Sequence, residues 1–194
     1  MLLVGDIGNT ETKICLVSLN KKILKKINFS SKNINNVKLK KKFKQLELKN
    51  LSLEKCLFSS VVPKTFKIIK KHIMNHYKVK CFELKDLKID KLIKIKVNKK
   101  QIGSDRLANA IGSMNNKDNF IILDFGTATT FDVLVKNIYL GGIISPGIRL
   151  SLNTLIANAS LIPNLELKKM NKVIGSDTVN AVRSGFFWGY RGLI

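Results

Sequence analysis

Arginine is scarce in this chain: Arg106, Arg149, Arg183 and Arg191 stand against 31 lysines. Specific recognition of bases and phosphates leans on the rigid, bidentate arginine fork. The net charge of +22 therefore reads as a solvated basic surface, and no specific nucleic-acid partner is expected. The lysines are dense from Lys21 to Lys100 without aromatic interleaving. They would draw in an anionic substrate as a by-product. Cysteine is limited to Cys15, Cys56 and Cys81, odd in number and with no Cys-x-x-Cys. That excludes a disulfide framework and a zinc ribbon, and predicts buried thiols in a reducing cytoplasm. The two histidines, His72 and His76, lie four apart on one helix face. The spacing could hold a metal, but no third ligand accompanies it, so surface histidines are expected. No run of 18 apolar residues occurs, which excludes a membrane-spanning helix of that kind. The start, Met1 to Asp6, lacks a basic n-region and meets a carboxylate at once, so no secretory signal is expected.

What is present is enough for a sizeable core: 194 residues, 45% apolar. Leu2–Gly5 and Thr12–Leu19 read as strands around a turn at Ile7-Gly8-Asn9-Thr10, with a third strand at Ile23–Phe29. Val37–Leu48 has weak helical spacing. Lys55–Val62 is a buried strand stopped by Pro63, which suits a helix start, and Phe66, Ile69, Ile73 and Tyr77 continue at helical spacing. Val79–Leu84 is a strand candidate, and Leu87–Lys100 is ambiguous. A helix opens at Ser104 or Asp105. Phe120–Leu123, Thr129–Val135 and Ile138–Ile144 read as strands, and Ile148–Leu161 and Val179–Leu193 as helices. Alternating strands and helices predict an α/β class. The asparagine-rich stretch Met114–Asn119 is the best boundary, giving an N-terminal domain over 1–116 and a C-terminal domain over 117–194.

The chain contains an internal repeat. Leu3 to Thr12 aligns with Ile121 to Thr130 at an offset of 118 residues. Asp6 falls on Asp124, Gly8 on Gly126 and Thr12 on Thr130, and an apolar strand follows each copy. A glycine between two strands lets the backbone turn tightly and approach a phosphate. Free N–H groups in such a turn make an anion-binding concavity. An aspartate at the strand end can hold a metal ion or water beside the phosphates. One Asp-x-Gly after a strand is usually an ordinary hairpin turn; two in matching register point to polyphosphate handling.

Duplicated Asp-x-Gly hairpins resemble the actin, Hsp70 and sugar-kinase superfamily. Several motifs are similar, in order and spacing, to type III pantothenate kinases: Asp6-Ile7-Gly8-Asn9-Thr10, Ser59-Ser60-Val61-Val62-Pro63, Gly103-Ser104-Asp105-Arg106, Asp124 to Asp132, Gly141 to Gly147, and Gly175-Ser176-Asp177-Thr178 with Ser184-Gly185. The resemblance implies duplicated ribonuclease H-like (actin-like ATPase) domains. It implies phosphorylation of pantothenate by ATP with Mg2+, the first step of coenzyme A biosynthesis, in a cytoplasmic homodimer. It also implies a monovalent cation, potassium or ammonium. Carried over by motif, Asp6, Ile7, Gly8, Asn9, Thr10, Glu11, Thr12 and Lys13 form the ATP phosphate loop and Thr127 touches ATP. Gly103, Ser104, Asp105, Arg106 and Thr178 contact pantothenate. Asp105 accepts the proton of the substrate hydroxyl, and Asp124 ligates the cation. Position 104 is Ser where the family commonly has Ala. The family continues past the position of Ile194 with a strand and a Thr-Gly-Gly type loop, so the second domain is expected to be incomplete in this chain.

Bland alternatives accompany the main candidates. Asp105 could serve as a helix N-cap. Arg106 reads equally as a bidentate carboxylate clamp or a surface ion pair. Asp132 reads as a cleft-side residue or as an exposed strand-face carboxylate. Phe186, Phe187 and Trp188 are expected to pack the last helix or a dimer interface. A sugar kinase of the same fold would place its acceptor aspartate in another context than Gly103–Arg106. A non-catalytic, regulatory member acting as a transcriptional accessory or nucleic-acid binder is the alternative function, distinguished by salt-resistant, sequence-selective DNA binding.

Overall fold

A computed structural model describes residues 1–48 and 51–194. Chain contacts divide it into two units, Met1–Ile122 with Asp132–Gly141, and Leu123–Phe131 with Gly142–Ile194. No described helix is long and apolar enough to cross a membrane.

The first sheet has the order β3-β2-β1-β4-β5. The three expected strands, β1 (Leu2–Ile7), β2 (Glu11–Val17) and β3 (Ile23–Ser30), form an antiparallel meander. Strands β4 (Lys55–Ser60) and β5 (Cys81–Glu83) then add in parallel, β4 beside β1. β1 is thus the central strand, and its C-terminal end carries Asp6. Alternating residues Leu3, Ile7, Ile14 and Leu16 are buried, as period-two patterning requires.

Helices α1 (Asn36–Lys44) and α2 (Pro63–Tyr77) cover this sheet. Asn35 caps α1 by accepting from the Lys38 N–H at 2.9 Å. Leu39 and Phe43, one turn apart, face inward. Pro63 begins α2 where its missing N–H costs nothing, and Lys78 ends it in a left-handed conformation (φ 55°).

His72 of α2 corrects the expectation of surface histidines: it is 2% exposed. Its ring meets the Phe43 ring edge-on at 4.9 Å and stacks on His76 at 4.3 Å. Burial, with the nearby charges of His76 and Lys40, lowers its pKa to about 4. A histidine held neutral in the fold binds its proton more readily when unfolded. Its stabilising contribution is therefore complete above about pH 6.5 and is lost as pH falls toward 4. The loss is on the order of 3 kcal/mol. Urea unfolding at pH 7 and pH 4 checks this: His72→Phe should remove that share of the acid destabilisation, and an unchanged pH dependence would contradict it.

After β5 a 3-10 turn, Leu84–Asp86, ends the strand candidate, and the ambiguous segment Leu87–Lys100 resolves into a second 3-10 turn, Ile89–Lys91, and a two-residue strand β6 (Lys94–Ile95). Ile89 and Ile93 anchor it in a second core cluster with Leu107 and Ala110 of α3 (Ser104–Ser113) and with Leu134 and Tyr139. Ile89 and Ile93 are four apart, a helical spacing, but one such pair is too short a run to tell a helix from a single turn, which is why the sequence pattern is ambiguous there.

The second sheet has the order β6-β9-β8-β7, with β7 (Asn119–Phe125), β8 (Ala128–Val135) and β9 (Ile138–Pro146). Its β9-β8-β7 part repeats the β3-β2-β1 order of the first sheet, as the internal repeat predicts. Helices α4 (Ile148–Asn158) and α5 (Thr178–Leu193) follow. The α4 helix is three residues shorter than its apolar spacing suggests, and Pro163 lies beyond its end.

Candidate active site

In the first unit, three of the sequence motifs converge at the end of β1. Asp6 pairs in register with Ser59 of β4, and the Ser59 hydroxyl donates to Asp6 Oδ1 at 3.1 Å. One residue on, the Val61 N–H donates to the Ile7 carbonyl at 3.0 Å. Val61 in turn lies against Gly103, where a β-carbon would sit 3.6 Å from Val61 Cγ1. The parallel β1–β4 pairing thus brings the phosphate-loop candidate and the Gly103–Arg106 candidate together across about 100 residues of chain.

The loop itself is a tight hairpin closed by the Gly8 N–H on the Glu11 carbonyl at 3.0 Å. Asn9, Thr10, Glu11 and Lys13 face solvent, whereas Ile7 and Thr12 are buried. The Thr12 hydroxyl is committed to the Ser31 hydroxyl at 2.8 Å. Ile7 and Thr12 can therefore reach a phosphate only through their backbone.

Gly103 is the N-cap of α3 and Asp105 its second residue. The N-cap alternative for Asp105 is thereby corrected, because the extended backbone that a cap needs falls at Gly103. The Asp105 Oδ1 accepts the Arg106 N–H at 2.8 Å. Its carboxylate stays half-exposed in the first turn, where the helix N-terminus supplies positive potential. Ser104 is buried, and its hydroxyl donates to Glu83 Oε1. The other Glu83 oxygen accepts the Lys85 N–H at 2.7 Å, and the Lys85 ammonium holds the Ile102 carbonyl at 2.8 Å. Any contact from Ser104 to a substrate would run through its backbone.

Gly103 is required by proximity. A β-carbon there would collide with Asp105 Oδ1. Because a carboxylate tip can swing away, Gly103→Ala should fold yet misplace Asp105, lowering kcat by about 10- to 100-fold with little change in melting temperature. Ser104→Ala should do the reverse to stability, leaving a Glu83 oxygen without its donor at a cost of about 1–2 kcal/mol. Paired melts and steady-state kinetics separate the two outcomes.

Arg106 and Asp132 differ from both of their bland alternatives. Asp132 is 1% exposed and far from a strand-face carboxylate in solvent. Its Oδ1 accepts Arg106 Nε at 2.8 Å and the Tyr139 hydroxyl at 2.5 Å, and Arg106 Nη2 lies 2.5 Å from it. Desolvation works against the Arg106 charge, but the hydrogen bond and charge of Asp132 outweigh it and raise the guanidinium pKa. Burial, then the Asp132 hydrogen bond and charge, push the Tyr139 phenol well above its ordinary value, so it remains a donor. Tyr139 and Glu83 are absent from the sequence-based candidates. The available signal is an ionisable residue, Asp132, inside the apolar strand Phe131–Val135, since such a residue demands a buried partner.

In the second unit, Asp124 and Thr127 are exposed at the β7–β8 hairpin, which closes by the Gly126 N–H on the Ala128 carbonyl at 2.9 Å. The hydroxyls of Thr129 and Thr130 are buried without a hydrogen-bond partner in the protein. Gly147, the N-cap of α4, donates its N–H to the Thr127 carbonyl at 3.0 Å. This seats the start of α4 directly on the hairpin. Thr178 is exposed as the first residue of α5, after the Asp177 side chain caps that helix on the Asn180 N–H at 2.9 Å. Among the described residues, no cluster of three or more His, Cys, Asp or Glu could hold a metal ion.

A family model described as type III pantothenate kinase matches residues 2–194. The chain belongs to that family. A type III pantothenate kinase of Pelagibacter ubique (strain HTCC1062) is 63% identical over 194 residues, covering all of this chain and 78% of the relative. Another, from Desulforapulum autotrophicum, is 32% identical, again over all of this chain and 77% of the relative. Among solved structures, a Campylobacter jejuni protein described as a conserved Baf family transcriptional activator matches with a TM-score of 0.59 at 20% identity, over 98% of this chain and 76% of its own. That likeness establishes the fold and carries no regulatory function with it. As a pantothenate kinase, the protein is a phosphotransferase, and the regulatory alternative is not favoured.

Proposed function

We propose that this pantothenate kinase transfers the γ-phosphoryl group of ATP to the primary hydroxyl of pantothenate with Asp105 as proton acceptor. The observation that supports this reading is the convergence of Asp6, Ser59, Val61 and Gly103 at one end of β1, with Asp105 two residues after Gly103. The hydroxyl oxygen forms a bond to the γ-phosphorus while the bond from that phosphorus to the bridging oxygen of ADP breaks. The hydroxyl proton passes to the Asp105 carboxylate, and 4'-phosphopantothenate and ADP leave. Asp6 to Lys13 cradle the phosphates, with Asn9, Thr10 and Lys13 supplying side-chain donors and the turn its backbone. Arg106 meets the pantothenate carboxylate, assisted by the positive end of α3. Gly103, Ser104 and Thr178 complete the contacts to that substrate, and Thr127 those to ATP.

The donor set suits Mg2+ arriving with ATP. Magnesium keeps several waters and needs only one or two carboxylates plus substrate phosphates, and Asp6 at the loop provides one. Asp124 with neighbouring hairpin carbonyls offers the hard oxygen ligands suited to potassium or ammonium. Residues 1–116 and 117–194 are read as the two actin-like domains. The exposed apolar side chains of Phe125, Ile143 and Ile144 support a homodimer, since a second copy would cover them. The unbridged thiols of Cys15, Cys56 and Cys81 are in keeping with a cytoplasmic enzyme.

The test is pantothenate-dependent ADP release by the purified protein, with and without potassium, alongside sedimentation for the dimer. Pantothenate-dependent turnover that rises with potassium supports the reading; no turnover by the full-length enzyme would overturn it.

A further inference from the structure

The buried pair Asp132–Tyr139 serves no step in the reaction above, yet it grips the one arginine placed at the substrate. Asp132 directs a single oxygen, Oδ1, at Arg106 Nε (2.8 Å), Arg106 Nη2 (2.5 Å) and the Tyr139 hydroxyl (2.5 Å). Its other oxygen is buried without a partner. A guanidinium has five N–H groups in a fixed plane. Two are taken by Asp132, which leaves the Nη1 edge to meet another anion. A carboxylate on one edge of the plane fixes the rotation of the opposite edge. Asp132 is 1% exposed and Tyr139 0% exposed, so water does not loosen this grip. Arg106 keeps a 14% exposed side chain, which gives a ligand a way to reach it.

We propose that Asp132 and Tyr139 are positioning residues for the acid end of the substrate. Resting on the reading that Arg106 meets the pantothenate carboxylate, they hold the guanidinium in the one orientation that presents its open edge. They thereby make the site selective for a carboxylate-bearing alcohol over an uncharged alcohol of the same length. Asp132 acts on the substrate only through Arg106, and Tyr139 only through Asp132. The Tyr139 hydroxyl donates to the same Asp132 Oδ1 that accepts from Arg106, so the grip has three members rather than two.

The test is a double-mutant cycle on the full chain, using Asp132→Asn, Arg106→Gln and the double variant. Asp132→Asn keeps the shape but loses the charge. It should raise KM for pantothenate by about 10- to 100-fold, change kcat much less, and leave KM for ATP within about twofold. It should also narrow the preference for pantothenate over its alcohol analogue pantothenol. In the Arg106→Gln background the same change should have little further effect on KM. An equal effect in both backgrounds would overturn the inference, because Asp132 would then act without Arg106. If Arg106→Gln raises KM but Asp132→Asn does not, the inference fails while the Arg106 reading stands. If neither variant moves KM for pantothenate, the Arg106 reading itself falls, and the inference with it. Should Asp132→Asn not fold, Tyr139→Phe removes one donor from the same oxygen. It should raise KM for pantothenate by about 2- to 5-fold without altering KM for ATP, and parallel changes in both KM values would overturn the proposal.

Discussion

Replacing Asp105 by Asn is expected to lower kcat by about 10²–10⁴-fold while nucleotide binding persists. The amide preserves size and half-exposure but cannot accept the hydroxyl proton. Because Asp105 is the second residue of α3 and not its cap, the substitution does not remove the group that begins the helix. A large loss of stability would therefore count against a chemical role. Its Oδ1 also accepts the Arg106 N–H, a bond that the amide oxygen of the Asp105→Asn variant can still make. The decisive comparison is titration calorimetry with ATP against steady-state turnover. Near-normal kcat in Asp105→Asn would eliminate it as the proton acceptor and direct attention to Asp6, the other carboxylate at the convergence of β1, β4 and α3.

Gly147→Ala is expected to be damaging too, for a different reason. A β-carbon at Gly147 would lie 2.6 Å from the Thr127 carbonyl oxygen and 2.8 Å from its carbonyl carbon, and nearer still to the Gly126 carbonyl. These are backbone atoms of the second Asp-x-Gly hairpin, and they have no rotamer to give. The start of α4 must retreat or the hairpin must deform, and the Gly147 N–H bond to the Thr127 carbonyl is lost either way. The expected cost is about 1–3 kcal/mol, with KM for ATP raised at least about tenfold because the proposed nucleotide and cation contacts of Thr127 and Asp124 shift with the hairpin. Thermal melts and ATP kinetics check it together. Unchanged KM for ATP with a lowered melting temperature would separate this hairpin from nucleotide binding. At Gly103, by contrast, the obstructed atom is a side-chain tip, so the expected loss falls on kcat and spares the fold.

Some of this site was legible along the chain because its signals are local. Asp6 and Gly8 lie at a strand end, Asp124 and Gly126 repeat them at a fixed offset, and Gly103-Ser104-Asp105-Arg106 opens an apolar-periodic helix. Period-two and period-3.6 patterns fix elements over a few turns, and β1, β2, β8 and α2 emerged with nearly the anticipated bounds. His72 shows where locality fails. Its helical face was readable, but whether that face met water or Phe43 depended on α1 packing beside it. The 3-10 turns after β5 show a second failure, since the single helical spacing of Ile89 and Ile93 belongs to a short turn and not to a helix.

By itself, then, the sequence determined the α/β class, the duplicated hairpin and the family, because each is written in short-range order and in the spacing of motifs. Only the tertiary structure decided which chemistry-bearing groups meet. The parallel pairing of β1 with β4 put Ser59 on Asp6. Close approach left no free room for a β-carbon at Gly103 or Gly147, and burial turned Asp132 from an ordinary strand carboxylate into the holder of Arg106. The physical reason is common to all of them. Backbone propensity acts over neighbouring residues, whereas desolvation, charge pairing and steric contact act across distance in space, and that distance is set only once the sheets have formed.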